Sequence, residues 1–225
     1  MMFRCGVIGS PVGHSLSPRL HMAALNHLAI SGESVIVDDD GSDLGRLSST
    51  VHGFDALSVT FPLKERMYGL CDEVDDLARQ VGAVNSVRIV DARIVGRNVD
   101  GEGFCRAIVS ELDVDVRDAS VTVIGAGGAA RSIIASLLRR GVGRIDVLLR
   151  TDRGQLSIFG DDGRVRGVSV SSYEADLVVN ATPVSLTGDS SPLPTVATGS
   201  QTAFIDLSYE PAETAWLAEQ RLISS

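Results

Sequence analysis

One lysine stands out among the residues of this chain that could carry out acid–base chemistry. The sequence has 20 Lys plus Arg, and Lys64 is the single lysine among them. A lysine ammonium is compact and its pKa shifts with its surroundings, so it can pass a proton where an arginine guanidinium cannot. Lys64 is therefore a candidate general acid or base. The alternative is that one lysine survives by chance on the solvated first turn of a helix.

Two hydroxyl groups, Ser15 and Ser17, come just before Pro18. A serine followed by a proline predicts a helix start, with Ser17 as the N-cap and Pro18 at the first helical position. The N-terminus of a helix carries partial positive charge and N–H groups without helical partners, so it suits an anion such as a carboxylate. The simpler alternative is that Ser17 only caps the helix. Two nearby histidines, His14 and His21, are more typical of structural or solvated positions.

A carboxylate is available as a partner for the lysine. Asp100 follows a predicted strand and precedes Gly101. Held close to Lys64, this carboxylate would fix the ammonium group and tune its proton transfer. An acid before a glycine at the end of a strand is also a common turn former, and the sequence leaves both interpretations open.

A glycine-rich segment indicates a dinucleotide site. The predicted strand at 120–124 runs into GAGGAAR (Gly125–Arg131) and then into a predicted helix. This order fits the fingerprint GxGxx(G/A), with Gly125, Gly127 and Ala130 in the small positions. Gly125 allows the tight turn, Gly127 lets the backbone approach a pyrophosphate, and Ala130 permits close packing of the helix on the strand.

The segment after the next predicted strand favours NADP over NAD. NAD-binding units place an acidic residue there on the ribose 2′-hydroxyl, whereas an arginine accommodates a 2′-phosphate. Here the strand is followed by Arg150, Thr151, Asp152 and Arg153. The two arginines and Thr151 predict NADP, and Asp152 leaves a contact with a ribose hydroxyl open. A solvated charged loop is the plain alternative.

The elements that must position these residues follow an α/β pattern. Hydrophobic periodicity predicts helices between short apolar strands. Strands are predicted at residues 3–10, 34–38, 56–61, 86–90, 93–99, 120–124, 144–149, 176–181 and 203–207. This order predicts an N-terminal α/β substrate-binding domain, residues 1–101, followed by a Rossmann-type dinucleotide-binding domain, residues 102–225, with a cleft between them.

Composition argues against several other classes of protein. The chain has 225 residues, a net charge of −9 and a pI of about 4.9. Because nucleic acids and anionic membranes select basic surfaces, neither is an expected partner. The three cysteines show no zinc spacing, which predicts reduced thiols, a cytoplasmic location and no metal site. No apolar run approaches the length that spans a membrane.

Taken together and in order, these segments resemble the shikimate dehydrogenase family over nearly the whole chain. The similarity is carried by GSPVGHSLSP, SVTFPLKE, GAVNS, GRNVDGEG, GAGGAAR, NATP and DLSYEP, at residues 9–18, 58–65, 82–86, 96–103, 125–131, 180–183 and 206–211. The resemblance implies an NADP-dependent oxidoreductase of the shikimate pathway, which leads to chorismate and aromatic amino acids. The implied reaction is the reversible reduction of 3-dehydroshikimate to shikimate, and a homodimer is left open.

The resemblance also implies roles for individual residues. Lys64 is implied as the catalytic acid/base and Asp100 as its catalytic partner. The implied substrate-binding residues are Ser15 and Ser17 on the carboxylate, Thr60 and Asn85 on ring hydroxyls, Asp100, and Tyr209. The implied cofactor-binding residues are Gly125, Ala126, Gly127, Gly128, Ala129, Arg150, Thr151, Arg153, Asp76 and Leu207.

The sequence departs from the family pattern in three places. Val99 and Leu149 stand where the family usually has Thr and Asn. Family members also continue past a stretch like Arg221-Leu222 into helices that carry a substrate-binding Gln. The last departure favours one alternative, a non-catalytic or degenerate member that binds dinucleotide or shikimate. A second alternative is a quinate/shikimate dehydrogenase that prefers NAD, and Arg150 and Arg153 argue against it.

Overall fold

The computed structural model describes residues 2–149, 154–169, 175–184 and 202–224. The chain divides into two compact units, Met1–Val99 and Asp100–Ser225. Each unit is built on its own sheet with helices in its connections, which confirms the predicted α/β class. The predicted division of roles between residues 1–101 and 102–225 stays a prediction.

The first unit contains a six-stranded sheet. Its strands are β1 (Phe3–Gly9), β2 (Gly32–Asp38), β3 (Ala56–Val59), β4 (Glu73–Val74), β5 (Ser86–Val90) and β6 (Arg93–Arg97). Its helices are α1 (Ser17–His27), α2 (Leu44–Val51), α3 (Lys64–Leu70) and α4 (Asp76–Val81). The strand order is β2-β1-β3-β5-β6-β4, with β1 parallel to both of its neighbours and β5 antiparallel to β3 and β6.

One hydrophobic cluster of this unit lies on the face of the sheet that α2 and α3 cover. Alternation along the strands sends one set of apolar side chains toward α2 and α3. The buried residues of this cluster include Ile8, Leu57, Val59 and Val87 from strands and Leu47, Val51, Leu63 and Met67 from helices and their starts. The successive strands β5 and β6 form a hairpin, and its two turn residues, Asp91 and Ala92, have positive φ angles of 50° and 60°, as tight hairpin turns require.

The second unit contains a five-stranded parallel sheet of the Rossmann type. Its strands are β7 (Ser120–Ile124), β8 (Arg144–Leu148), β9 (Val165–Val168), β10 (Leu177–Asn180) and β11 (Ala203–Asp206), in the order β11-β10-β7-β8-β9. Its helices are α5 (Asp100–Leu112), α6 (Gly128–Arg139), α7 (Ala215–Ser224) and a 3₁₀ helix at Gly154–Phe159. The central strands β7 and β10 are almost wholly buried, as strands covered on both faces are expected to be.

Two helices begin at other residues than the sequence pattern indicates. Hydrophobic periodicity predicts a helix over 74–81, but Glu73 and Val74 pair with β6, and α4 begins at Asp76 with Asp75 as its N-cap. The same pattern predicts a helix from Ser132 after the glycine-rich segment, but α6 begins at Gly128. The small residues of the glycine-rich segment therefore form the first turn of α6 as well as the approach to it.

Candidate active site

The two predicted anion-binding hydroxyls lie together at the start of α1. Ser15 Oγ and Ser17 Oγ are 3.1 Å apart, and Ser17 N–H donates to Ser15 Oγ over 3.2 Å. The prediction that Ser17 is the N-cap is wrong: the backbone is already helical at Leu16, which is the N-cap, and no side chain caps the helix. The simple capping role does not hold for Ser17, and its hydroxyl stands at the positive end of an 11-residue helix that can receive an anion.

Thr60 and Lys64 follow the carboxyl end of β3. Thr60 N–H donates to Ile8 O over 2.9 Å, and Leu63 N–H donates to Thr60 O over the same distance. A Cβ placed on Gly9, at the end of β1, would lie 2.4 Å from the Thr60 methyl carbon, so only glycine allows β1 to end this close to Thr60. These contacts fix the turn between β3 and α3.

The helix that carries the lysine begins where the sequence predicts. α3 starts at Lys64, and its N-cap is Leu63 rather than Pro62. Val84 N–H donates to Lys64 O over 2.9 Å, which ties the first turn of α3 to the chain that enters β5. Lys64 is half-buried, and its backbone is held on both sides of the turn.

Asn85 connects three strand ends of the first unit. Its backbone O accepts from Val59 N–H over 2.8 Å, and its N–H donates to Arg97 O over 3.0 Å. Its side-chain Oδ1 accepts from Val99 N–H over 2.9 Å. The amide of Asn85 therefore holds the segment that leads to Asp100, in addition to the ligand contact that the sequence suggests.

His21, expected to be structural or solvated, bridges two strands of the sheet in this region. Its Nδ1 lies 2.9 Å from Ser34 Oγ on β2, and its Nε2 lies 2.9 Å from Ser58 Oγ on β3. Burial lowers the pKa of His21 from its ordinary value of 6.5, so the ring is neutral at pH 7. Sequence spacing is the signal that could have predicted this bridge. Ser17 and His21 are four residues apart on a helix, and Ser58 and Thr60 are two apart along a strand, so each pair shares a face.

Asp76, a predicted cofactor contact, lies at the start of α4. Its carboxylate is 2.9 Å from Arg79 Nη1, and 92% of its side chain is exposed. Its carboxylate is therefore accessible to solvent, and its role at the cofactor stays a prediction.

Asp100 is the first residue of α5, in the second unit, whereas Lys64 belongs to the first. Gly101 N–H donates to Ser132 Oγ of α6 over 2.8 Å. A Cβ on Gly101 would lie 2.1 Å from Ser132 O and 2.3 Å from Ser136 Oγ. The Asp-Gly pair thus opens a helix at a close helix–helix approach, and the alternative of a simple turn is wrong. The pairing of Asp100 with Lys64 stays a prediction.

The glycine-rich segment has the geometry that a dinucleotide phosphate requires. Gly125 has a φ of 103°, and a Cβ there would lie 2.8 Å from Thr182 Cγ2. Gly127 is the N-cap of α6, no side chain caps this helix, and a Cβ on Gly127 would meet no atom within 4 Å. Ala130 is fully buried. The N-terminus of α6 is therefore an open cradle of backbone N–H groups, which fits a pyrophosphate.

A polar network orders the chain after β10 and β11. Asn180 Nδ2 donates to Asp206 Oδ2 over 3.1 Å, and Thr182 Oγ1 donates to Asn180 Oδ1 over 2.7 Å. Leu207 N–H donates to Asn180 O over 3.0 Å. The network fixes Leu207 directly and leaves Tyr209, two residues on, with half of its surface exposed. Leu207 and Tyr209 are predicted from the sequence, whereas the polar side chains that order this segment are not.

The predicted 2′-phosphate contacts Arg150, Thr151 and Arg153 lie outside the described residues, together with Asp152. In the part of the chain that the structure describes, no group of three or more His, Cys, Asp or Glu residues could hold a metal ion. Among the same residues, no helix combines the length and the apolar character needed to cross a membrane.

Comparison with known proteins identifies the family. Residues 7–87 match the family model described as the shikimate dehydrogenase substrate binding domain. Over 227 residues the chain is 35% identical to the shikimate dehydrogenase (NADP(+)) of Geobacillus sp. (strain WCH70), a match that covers 96% of this chain and 82% of that protein. The corresponding protein of Bacillus licheniformis is 36% identical over 228 residues, or 95% of this chain and 81% of the relative.

The chain belongs to the shikimate dehydrogenase family. A solved structure agrees with this: the shikimate 5-dehydrogenase of Thermus thermophilus in complex with NADP(H) and shikimate has a TM-score of 0.87 and 35% identity, covering 98% of this chain and 84% of that one. The resemblance drawn from the sequence motifs is thus confirmed. The match to the substrate-binding domain of the family includes Ser15, Ser17, Thr60, Lys64 and Asn85.

Proposed function

We propose that this chain is an NADP-dependent shikimate dehydrogenase that interconverts 3-dehydroshikimate and shikimate on the route to chorismate and aromatic amino acids. The observation that carries the proposal is the arrangement after β1 and β3. A hydroxyl pair at a helix start, a strand-end threonine and the single lysine come from neighbouring parallel strands of a shikimate dehydrogenase family member. The relatives' names and the shikimate and NADP(H) held by the Thermus protein support the same substrate and cofactor.

The substrate is held through its carboxylate and its ring hydroxyls. Ser15 and Ser17 donate to the carboxylate at the N-terminus of α1, where the helix dipole favours negative charge. Thr60 and Asn85 bind ring hydroxyls from rigid positions after β3 and before β5. Tyr209 provides a further contact from the chain after β11, where half of its surface is exposed.

Lys64 carries the proton of the reaction. In reduction, the carbonyl carbon of 3-dehydroshikimate gains a hydride, the C=O π bond opens, and the oxygen takes a proton from the Lys64 ammonium, which gives the hydroxyl of shikimate. In the reverse direction the neutral Lys64 amine accepts the hydroxyl proton. Asp100 stabilises the ammonium form and binds the same part of the substrate. A positioned acid or base of this kind contributes about 10²- to 10⁴-fold to the rate.

The second unit holds the cofactor. When bound, NADPH supplies the hydride. The backbone at the start of α6 holds the pyrophosphate, because the glycines there leave N–H groups accessible. Arg150, Thr151 and Arg153 bind the 2′-phosphate. The full set of proposed cofactor contacts is Gly125, Ala126, Gly127, Gly128, Ala129, Arg150, Thr151, Arg153, Asp76 and Leu207.

We also propose a cytoplasmic location and a homodimeric assembly. Cys5, Cys71 and Cys105 are all free thiols, and unpaired thiols are typical of a reducing compartment. Burial and the nearby Asp72 carboxylate raise the pKa of Cys71 to about 11, so this thiol stays protonated and unreactive. Light scattering of the purified chain tests the assembly.

Turnover with each cofactor tests the function. Purified protein is mixed with shikimate and NADP, then with NAD, and the absorbance of the reduced nicotinamide is followed. We expect a higher kcat/KM with NADP, and we expect R150A combined with R153A to raise the KM for NADP and leave that for NAD unchanged. No turnover with either cofactor would support the non-catalytic alternative, although no observation favours it now. A preference for NAD and quinate would support the second alternative, a quinate/shikimate dehydrogenase that prefers NAD.

A further inference from the structure

The imidazole of His21 joins three elements of the first unit. It projects from α1, and its two nitrogens lie 2.9 Å from Ser34 Oγ on β2 and 2.9 Å from Ser58 Oγ on β3. Strand β1 lies between these two strands, with Cys5 opposite Ser34 and Val7 opposite Ser58. The ring therefore spans β1 and ties one helix to the strands on either side of it.

Both ends of this bridge lead to proposed substrate contacts. Ser17 lies one helical turn before His21, so the two side chains share a face of α1. Thr60 lies two residues after Ser58, and its N–H still pairs with Ile8 O of β1. Residues two apart along a strand share one face of the sheet, so Thr60 lies on the same face as Ser58. The carboxylate-binding hydroxyls and the hydroxyl-binding threonine are therefore connected through one side chain.

We propose that His21 is a positioning residue for shikimate, which sets the distance between the Ser15/Ser17 pair and Thr60. This inference rests on the proposed function, since it concerns the same substrate. The imidazole suits the task because one nitrogen donates, the other accepts, and a serine hydroxyl can complement either. The flat ring also has no internal flexibility, so α1 and β3 are held at one separation.

The imidazole borders apolar space between α1 and the sheet. Beside His21 lies an apolar cavity of about 250 Å³, lined by residues of α1 and of the sheet such as Cys5, Ala24, Leu28 and Ala56. Removal of the imidazole would extend this cavity and leave the hydroxyls of Ser34 and Ser58 without their partner. The start of α1 would then be free to shift relative to Thr60.

Steady-state kinetics of H21A and H27A test the inference. His27 is the matched control, because it lies in the last turn of the same helix and is exposed. For H21A we expect the KM for shikimate to rise about tenfold, the effect of one lost hydrogen bond of ordinary strength. The kcat and the KM for NADP should stay within about twofold of the wild type, and H27A should match the wild type throughout.

Two further variants separate positioning from general stability. In H21Q the side-chain amide offers a donor and an acceptor, so we expect it to recover part of the affinity. S58A removes only one of the two hydrogen bonds of His21, so it should raise the KM for shikimate less than H21A does. This variant tests the inference even if H21A does not fold. A shikimate analogue with a neutral carboxamide in place of the carboxylate should be affected less by H21A than shikimate is.

Calorimetric titration with shikimate distinguishes this inference from the proposed function. If the wild type binds shikimate without oxidising it, the proposed function fails, and a weaker Kd in H21A than in H27A still supports His21. Equal Kd values in the two variants, or a fall in kcat with no change in KM, would overturn the positioning role. A wild type that does not bind shikimate would overturn both.

Discussion

The two units of this chain present candidate binding groups of different kinds. In the first unit the candidate groups are side chains: two serine hydroxyls, a threonine and a lysine after β1 and β3, with a histidine behind them. In the second unit the candidate groups are mostly backbone N–H groups beside Gly125 and Gly127, and glycine also allows the close contact of α5 and α6 at Gly101. Substitutions that truncate a side chain should therefore impair the first unit, and substitutions that add a Cβ to a glycine should impair the second.

The largest effect is expected from K64A. Loss of the acid/base should lower kcat by about 10²- to 10⁴-fold, with little change in the melting temperature because the side chain is only half-buried. K64R is the matched control for charge: it keeps the cation but cannot pass a proton at neutral pH, so it should not restore kcat. Normal turnover by K64A would show that the Lys64 side chain is not the acid/base of the reaction.

The next effect is expected from G101A in the second unit. An added Cβ would lie 2.1 Å from Ser132 O, a backbone atom that can yield only if α5 and α6 separate. We expect a loss of about 1–3 kcal/mol in the free energy of unfolding, measured with urea. G103A is the control on the same helix, because a Cβ there meets no atom within 4 Å. Equal stabilities of the two variants would contradict the close approach of the helices.

A smaller contrast is expected between two glycines of the cofactor segment. Gly125 has a φ of 103°, so G125A should lower the free energy of unfolding by about 1–3 kcal/mol and also raise the KM for NADP. A Cβ on Gly127 has open space around it, so G127A should raise that KM through obstruction of the pyrophosphate, with unchanged stability. Urea unfolding and NADP kinetics measure both effects. A stable G127A with a normal KM would show that the cradle is not used.

The smallest effect concerns pH and the first unit. Burial lowers the pKa of His21 from 6.5, so the folded chain binds this proton more weakly than the unfolded chain does. The stability that this difference contributes is complete above pH 6.5 and is lost as the pH falls below it toward the folded pKa. H21Q should therefore lose less stability than the wild type between about pH 7.5 and about pH 5.5, measured by urea unfolding. Equal losses would contradict the burial of a neutral ring.

Local sequence patterns predict the residues of the candidate site better than the residues that position them. The start of α3 at Lys64 and the strand–glycine–helix order around Gly125 were confirmed because short-range rules decide them. Ser17 was wrongly placed as an N-cap because the backbone turns helical one residue earlier, at Leu16. The bridge through His21 depends on the register of β2, β1 and β3, which a sequence pattern does not contain. The same is true of the two-residue strand β4, whose pairing with β6 outweighs its helical pattern.

In the proposed mechanism Asp100 stabilises the ammonium form of Lys64, so the two side chains should act as a unit. The most direct test is the kcat of four proteins: the wild type, K64A, D100N and the double variant, with shikimate and NADP at saturation. If the two residues act as a unit, the double variant should be about as slow as the slower single variant. If the two losses in kcat multiply, or D100N turns over like the wild type, the two residues do not act together and the account is contradicted.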